Sequence, residues 1–251
     1  MSTTTTHLHH LATVDPSAAA TTPSAASPII SASALRLDGN RGRIYGPLDL
    51  DIAPGTLTLV TGRAGSGKTS LLLTLVGRMR PNRGCNLTVL DRRLPSRARG
   101  VQRRTAAVGI HGLDDLDEVV TVAAAVRERE AWLAPWYRVV RTPDDEHVAR
   151  VCEPVFGDNP APKAHEFVHE LNEADNLLLR IALALLSEPE LIVVDDIDSL
   201  YDTDGRRRVW EALHGLTDHG LTVIVAAASA SELSRLGWAQ LPDHIDLSTN
   251  H

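Results

Sequence analysis

The sequence predicts an α/β fold in which a mainly parallel β-sheet is joined by N-terminal antiparallel strands and by a helical insertion. Two continuous apolar runs, Leu57–Thr61 and Leu191–Val194, are typical of strands that are covered on both faces. Apolar residues alternate between positions 48 and 52, which indicates half-exposed antiparallel strands. Residues 119–171 have a helical pattern instead. A chain of 251 residues that is 43% hydrophobic is long enough to bury one such domain, or two small ones.

The N-terminal region differs from the rest of the chain in composition. Residues 1–31 consist mainly of Thr, Ser, Ala and Pro, and Asp15 is their only charged side chain. Such a segment cannot bury enough apolar surface to offset the entropy of ordering it, so we expect a disordered tail. Residues 32–251 then form the folded domain, with a helical subdomain at about 113–175.

The first half of the domain is expected to be rich in strands. After the antiparallel strands, Leu57–Thr61 forms a buried strand, and apolar residues recur at helical spacing within 71–79. Two more strands are expected at 87–90 and 106–110. The arginine-rich stretch 92–104 between them is interpreted as a solvated loop.

The helical insertion is expected to hold two helices before the sheet resumes. The first spans 119–133, and the second begins with Thr142 as N-cap and Pro143 at the first helical position. Pro154 is expected to end it. An aromatic cluster in the same region could serve either a small core or a partner-binding surface, and we expect core packing. Its members are Trp132, Trp136 and Tyr137.

The last third of the chain alternates helices and strands. Asn172, with Asp175 three residues later, is typical of a helix N-terminus in which the first side chain caps the helix. Further elements follow from apolar periodicity and from the turn residues between them. These are a helix at 177–186, the strand Leu191–Val194, a helix at 204–214, and strands at 221–227 and 245–247.

A glycine-rich segment after the strand Leu57–Thr61 matches the phosphate-binding pattern G-x-x-x-x-G-K-[ST]. Glycines let the backbone adopt positive φ, so that successive N–H groups and the start of the next helix surround phosphate oxygens. Lys68 would place its charge between the β- and γ-phosphates, and the Thr69 hydroxyl would bind Mg²⁺. The fold class is therefore a P-loop NTPase core. The predicted nucleotide-binding residues are Gly62, Arg63, Ala64, Gly65, Ser66, Gly67, Lys68, Thr69 and Ser70.

Two carboxylates stand at the end of the second buried run. Asp195 and Asp196 follow Leu191–Val194, and the carboxyl ends of parallel strands are where such sheets bind ligands. Asp195 is predicted to hold Mg²⁺, directly or through water, together with Thr69. Asp196 is predicted to orient or deprotonate an attacking water, so Asp196 and Lys68 are the candidate catalytic residues.

A second motif competes for a functional role. The segment from His165 to His169 matches H-E-x-x-H, in which two histidines one helical turn apart bind zinc and Glu166 activates water. Pro160 and Pro162 crowd its N-terminal side, and no third ligand is evident in the sequence. A zinc hydrolase is therefore the remote alternative.

Composition argues against several other classes. The net charge of -7 and pI near 5.9 give no overall basic surface, so we do not expect nucleic acid as a partner. Cys85 and Cys152 form neither a C-x-x-C motif nor a disulfide framework, which fits a reducing compartment. No apolar run approaches the roughly 20 residues that span a bilayer. A membrane function would therefore need another chain.

Residues 34–251 resemble the ATP-binding cassette ATPases, the motor subunits of membrane transporters. Three blocks carry the resemblance, at 62–69, 185–196 and 220–225, and the helical insertion falls where the family keeps its helical subdomain. The resemblance implies ATP and Mg²⁺ as ligands and an integral membrane subunit supplied by another chain. It also implies a homo- or heterodimer with a second cassette, and a cytoplasmic protein that is peripheral on the inner face of the cell membrane.

Several family positions are altered in this chain. The signature L-S-G-G-Q corresponds to 171–175, where Glu173 would bring negative charge towards phosphate unless it turns away. The catalytic Glu becomes Asp196, one methylene shorter, and the switch His becomes Ala228. Near the glutamine loop the chain has His111 and Gly112 but no Gln, and Tyr45 falls a few residues after the family's adenine-stacking aromatic residue. Asp202 is expected in the dimer-contact loop.

These departures favour ATP binding over fast turnover. The leading hypothesis is an ATP-binding subunit of a membrane transporter complex that hydrolyses ATP slowly. A non-motor ATP-sensing module that controls a partner protein is the main alternative. A small-molecule P-loop kinase is a further one.

Overall fold

The computed structural model describes residues 27–40, 42–230, 233 and 242–247. Residues 1–26 of the predicted tail lie outside the described residues, and the first strand begins at Ile30, two residues before the predicted domain start. The strands are β1 (Ile30–Gly39), β2 (Gly42–Ile52), β3 (Leu57–Thr61), β4 (Asn86–Val89), β5 (Arg92–Arg93), β6 (Thr105–Val108), β7 (Leu191–Val194), β8 (Thr222–Ala227) and β9 (Asp243–Asp246). The helices are α1 (Lys68–Leu75), α2 (Ala98–Gln102), α3 (Val122–Leu133), α4 (Asp145–Phe156), α5 (Glu173–Leu185) and α6 (Thr203–Asp218).

The larger sheet is parallel throughout, in the order β6-β7-β8-β3-β9. Its central strands β3, β7 and β8 are buried at every position, as their continuous apolar sequences predict. Alternate residues supply two cores. Leu59 and Val194 face the core formed with α3 to α6, whereas Val60 and Val193 face the core formed with α1 and the N-terminal strands. This sheet confirms the predicted α/β class.

A second sheet of four antiparallel strands, in the order β2-β1-β4-β5, packs beside α1. The long pair of β1 and β2 confirms the predicted N-terminal antiparallel strands. The arginine-rich stretch is not a plain loop, because it contains β5 and the short helix α2. Val101 is fully buried and fixes α2 against the core, although the arginines around it remain at the surface or only partly covered.

The helical insertion lies between β6 and α5 and differs from the sequence prediction at both ends of α4. Asp144, not Thr142, caps α4, because its carboxylate accepts a hydrogen bond of 2.9 Å from His147 N. Asp145 and Glu146 add favourable charge to the same first turn. Pro154 does not end α4, which continues to Phe156, since a proline near the C-terminus removes only one internal hydrogen bond. Within the described residues, no helix is both long and apolar enough to cross a bilayer.

Candidate functional site

The glycine-rich segment connects the buried strand β3 to helix α1 and adopts the open conformation that its sequence predicts. Gly62, Gly65 and Gly67 all have positive φ. A Cβ atom on Gly67 would lie 2.6 Å from the carbonyl oxygen of Ile44, so only glycine fits between the loop and β2. Nothing lies within 4 Å of the corresponding point on Gly65, which faces open space. The loop therefore packs against β2 at Gly67, whereas at Gly65 it faces open space.

Helix α1 begins at Lys68 without a side-chain cap and without an acidic residue in its first turn. Its leading N–H groups therefore have no capping side chain and are suited to an anion. Lys68 folds back over the loop, because its Nζ donates hydrogen bonds of 2.8 Å to Gly62 O and 3.4 Å to Arg63 O. The side-chain oxygen of Ser66 is buried and has no hydrogen-bond partner among the described residues. The N–H groups, Lys68 and Ser66 together form a polar cradle. The side chains of the loop do not block this cradle.

The carboxylates after β7 lie beside this loop, although β8 separates β7 from β3 in the sheet. The Thr69 hydroxyl donates a hydrogen bond to Asp195 Oδ2, which joins the two predicted metal ligands directly. Asp195 Oδ1 accepts a 2.9 Å hydrogen bond from Asp196 N. Asp196 has a φ of 61°, and a non-glycine residue in this region is uncommon and is found at functional sites. Hydroxyl and carboxylate oxygens are the donor set that Mg²⁺ prefers, so the residues present fit this ion.

Two cavities meet at Asp196. One of about 390 Å³ is lined by the loop from Ala64 to Ser70, by Ile44 and by the carboxylates of Asp195, Asp196 and Asp198. The other, of about 330 Å³, lies towards α5 and is lined among others by Glu173, Asn176 and Arg180. Asp196 is an exposed residue, yet partial desolvation of its carboxyl group raises its pKa above the ordinary value, and the negative charge of Asp195 acts in the same direction.

Arg180 is a site residue that the sequence analysis missed. Its guanidinium, with the side chain 15% exposed, lies 2.7 Å from Asp114 Oδ1 and 3.5 Å from Asp115 Oδ1. Asp114 in turn accepts hydrogen bonds of 2.9 Å from the N–H groups of Gly109 and Ile110. Gly109 fits against the main chain of Asp195, where a Cβ atom would lie 2.1 Å from the carbonyl oxygen. The available signal was a single charge within the apolar run of α5.

In the segment that corresponds to the signature, polar side chains form hydrogen bonds within the chain. Asn172 caps α5 as predicted, since its side chain accepts a 2.9 Å hydrogen bond from Asp175 N. Glu173 turns to the loop before α6, where its carboxylate accepts a 3.2 Å hydrogen bond from Tyr201 N. Asp202 caps α6 by accepting hydrogen bonds from Asp204 N and Gly205 N.

The zinc prediction at His165, Glu166 and His169 is wrong. These residues lie in a turn and a 3-10 helix (Val168–Glu170) rather than on one face of an α-helix. Glu166 accepts a 3.0 Å hydrogen bond from Lys163 N, and His169 Nδ1 contacts Glu118 O at 2.9 Å. Across the described ranges, no three His, Cys, Asp or Glu side chains are grouped so that they could hold a metal ion.

Tyr45 and the aromatic cluster of the insertion lie in contrasting environments. Tyr45 belongs to the core and not to the site, because its hydroxyl donates to Thr74 Oγ1 at 2.7 Å and burial raises its pKa to about 12. The expected packing of the aromatic cluster in the insertion is wrong. Trp132 is 80% exposed, Trp136 is 96% exposed and Tyr137 is 73% exposed.

A parallel sheet with an uncapped glycine loop, a lysine folded over it and two aspartates at the end of a second buried strand defines a P-loop nucleotide-binding protein. The family model described as "ABC transporter" matches residues 45–199, and the chain belongs to this family. This assignment removes the basis for the small-molecule kinase alternative.

Relatives and solved structures agree with the family. The chain is 30% identical over 203 residues to Nod factor export ATP-binding protein I of Bradyrhizobium diazoefficiens, covering 77% of this chain and 60% of the relative. It is 29% identical over 191 residues to the protein of the same name from Burkholderia pseudomallei, covering 75% of this chain and 59% of the relative. The chain thus spans about three-fifths of the length of these curated relatives.

Two solved structures share the fold at low identity. The first is cbiO1 from Clostridium perfringens, part of the ABC transporter complex cbiONQ, with a TM-score of 0.66 and 18% identity over 84% of this chain and 82% of that one. The second is an ATP-binding cassette of an ABC transporter in its ADP conformation, with a TM-score of 0.68 and 13% identity over 83% of this chain and 84% of that one.

Proposed function

We propose that the chain is the ATP-binding subunit of an ABC-type membrane transporter complex, and that it binds Mg-ATP at residues 62–70 and hydrolyses ATP slowly. The observation that carries this proposal is the cavity of about 390 Å³ in which the uncapped start of α1 faces the Asp195 and Asp196 carboxylates. Lys68 and the carboxyl-bearing Asp195 and Asp196 line the same cavity, an arrangement suited to a triphosphate that arrives with a divalent cation.

Each wall has a distinct role in the proposal. The backbone N–H groups from Arg63 to Ser70 bind phosphate oxygens, and Lys68 exchanges its contact with the Gly62 carbonyl for the β- and γ-phosphates. Thr69 and Asp195 would hold Mg²⁺, which when bound neutralises charge on the phosphate oxygens. Asp196 would accept a proton from the attacking water.

Slow turnover follows from side chains that cannot assist this step. Ala228 follows β8 with a methyl group that neither donates nor accepts a hydrogen bond. Gly112 has no side chain to orient water or metal. Asp196 reaches about one methylene less far than a glutamate, and small errors in the placement of a water molecule lower the rate steeply.

The proposed partners are chains that supply what this one lacks. An integral membrane subunit would carry the transport path, and a second cassette, identical or different, would complete the nucleotide site. The α5 end at Glu173 is acidic and capped, so a different second cassette with an intact signature is the arrangement that best supports hydrolysis. The chain would then work on the cytoplasmic side of the cell membrane, as a peripheral subunit.

The chain contains only two lysines, which provide a matched test of the proposal. Lys68→Ala removes the charge in the loop, whereas Lys163→Ala removes one from a surface segment. A charge-assisted hydrogen bond contributes about 1.5 to 3 kcal/mol, so Lys68→Ala should weaken binding of an ATP analogue about 10- to 150-fold. Calorimetry with Mg²⁺ present measures this effect. Equal affinities of the two variants would refute nucleotide binding at this loop.

An ATP-sensing regulatory module is the second candidate function. The capped α5 end and Ala228 favour it, because both remove groups that turnover would use. Single-turnover hydrolysis distinguishes the two candidates. Phosphate release that depends on Asp196 supports the transporter subunit, whereas tight binding with no release in the presence of membranes supports the sensor.

A further inference from the structure

The helical insertion presents two aromatic side chains at the tip of an exposed turn. Just after α3, Arg138 N donates a 2.8 Å hydrogen bond to Pro135 O, which closes a four-residue turn with Trp136 and Tyr137 at its two central positions. The two rings contact each other edge-on, with centroids 5.9 Å apart and planes at 84°. We refer to residues 132–141 as the aromatic turn.

The aromatic turn has a composition that folding does not explain. Gly, Pro, Asn, Asp and Ser suit the central positions of turns, whereas Trp and Tyr side chains gain free energy chiefly when they are buried. Trp136 is 96% exposed and Val139 is 86% exposed, so neither supports the core. Of four aromatic side chains more than 70% exposed in the described part of the chain, three belong to this turn and the fourth is Tyr201. An exposed apolar group of this kind marks a binding surface.

The charge of the aromatic turn is opposite to that of the whole protein. Residues 131–143 contain Arg138 and Arg141 and no acidic residue, although the chain carries a net charge of -7. Both arginines are exposed, and neither forms an ion pair with another described residue. The turn itself is therefore positive on a negative protein, although Glu130 and Asp144 line the same cavity as its two arginines, and its own charge fits an anionic partner surface.

The backbone of the turn is held in place before any partner arrives. Arg127, on α3, donates a 3.2 Å hydrogen bond from Nε to Val140 O. This bond fixes the segment after the turn to the helix. A surface that is already ordered loses little conformational entropy on binding. Because Trp136 and Tyr137 are 96% and 73% exposed, the two rings can enter a soft, flat surface without a matching pocket.

Trp and Tyr concentrate at the level of lipid headgroups, and arginines beside them bind anionic lipids. We propose that the aromatic turn is a membrane-contact segment, which inserts Trp136 and Tyr137 among the headgroups of an anionic bilayer while Arg138 and Arg141 contact lipid phosphates. It rests on the proposed function only in that the chain works at a membrane. The area of contact between the aromatic turn and the bilayer is small, so binding by the isolated chain is weak and reversible.

Protein-free vesicles test this proposal directly. The full chain is sedimented with vesicles of phosphatidylglycerol and phosphatidylcholine, or of phosphatidylcholine alone, at low ionic strength. Each basic side chain near an anionic surface contributes roughly fivefold, so Arg138 and Arg141 should give a roughly 25-fold preference for the anionic vesicles. Arg138→Gln with Arg141→Gln should abolish this preference.

A double variant isolates the contribution of the rings. Trp136→Ser with Tyr137→Ser should reduce binding to anionic vesicles at least tenfold, and Tyr201→Ser, an equally exposed aromatic residue elsewhere, should leave it unchanged. The affinity of each variant for an ATP analogue reports whether that variant is folded. The affinity of the wild-type chain for the same analogue tests the proposed function separately. The proposal is overturned if the wild-type chain does not bind vesicles. It is also overturned if the variant without the two rings binds them as well as the wild type does. Capture by a detergent-solubilised membrane protein but not by vesicles would assign the turn to a protein partner and also overturn it.

Discussion

Helices α1 and α5 begin at two cavities that share Asp196, but their N-termini are opposite in character. Helix α1 starts after Gly67 with no side-chain cap and no acid in its first turn. Helix α5 starts with Asn172 as a cap and has Glu173 and Asp175 in its first turn. The positive end of a helix attracts an anion only where its N–H groups are free, so α1 is prepared for phosphate and α5 has already been satisfied internally.

This difference separates binding from turnover. A ligand bound at α1 meets uncapped backbone donors, whereas a phosphate that approached α5 would meet a capped helix end with two acidic residues in its first turn. Under the proposed function, nucleotide binding would depend on this chain alone. Hydrolysis would depend on what a second cassette brings to Asp196. The predictions below test the two helix ends and the residues between them.

The largest effect is expected at Asp196, which lines both cavities. Asp196→Asn removes the proton acceptor and should lower single-turnover hydrolysis by about 10²- to 10⁴-fold, because this is the usual contribution of a general base. The affinity for Mg-ATP should change little. Asp198→Asn, a neutralisation in the same cavity, is the control and should leave most of the rate. Equal rates for the wild type and Asp196→Asn would mean that Asp196 is not the base.

Closing the open end of α1 should have the next largest effect. Gly67→Ala forces a side chain into φ +90 and brings its Cβ to 2.6 Å from Ile44 O, which should lower the free energy of unfolding by about 3 kcal/mol. Gly65→Ala has a similar φ of +80 but meets no atom within 4 Å, so it should cost only about 1 kcal/mol. Urea unfolding measures both variants. Equal costs would show that the contact with Ile44 does not hold the loop.

Arg180 connects α5 to the main chain behind Asp195, and its removal should have an intermediate effect. Arg180→Met leaves the Asp114 and Asp115 carboxylates without their cation, which should cost about 2 kcal/mol of stability, since a mostly buried broken pair costs somewhat less than a fully buried one. Arg207→Met removes an exposed ion pair with Asp204 and should have no measurable effect. If both variants unfold at the same urea concentration, the Arg180 pair is not structural.

The open end of α1 could be predicted from sequence because every residue type there has a local reason. Glycines, Lys68 and Thr69 act within one turn of chain, and the apolar run Leu57–Thr61 positions them. The cap of α5 was predictable for the same reason, since Asn172 and Asp175 are three residues apart. The α4 cap was missed because Thr142 and Asp144 are both good caps and only the path of the chain selects Asp144.

Long-range contacts and exposure could not be predicted in this way. Arg180 meets Asp114 across 66 residues of sequence, and no local pattern links the two. The aromatic turn was expected in a core because Trp and Tyr are usually covered, but residue type alone does not say whether a neighbouring element arrives to cover them. The same limit applies to His165 and His169, whose spacing suits zinc only if the segment is helical, and it is not.

The smallest effect is expected at the capped end of α5, and it tests whether the two ends are independent. Asn172→Ala removes the acceptor for Asp175 N and should cost about 1 kcal/mol of stability, whereas Asn172→Ser keeps a capping oxygen and should cost little. Neither variant should change the affinity of the isolated chain for Mg-ATP, because the donors that bind phosphate belong to α1. An altered affinity in calorimetry would mean that the α5 end reaches the bound nucleotide within one chain, and the separation of binding from turnover would then be wrong.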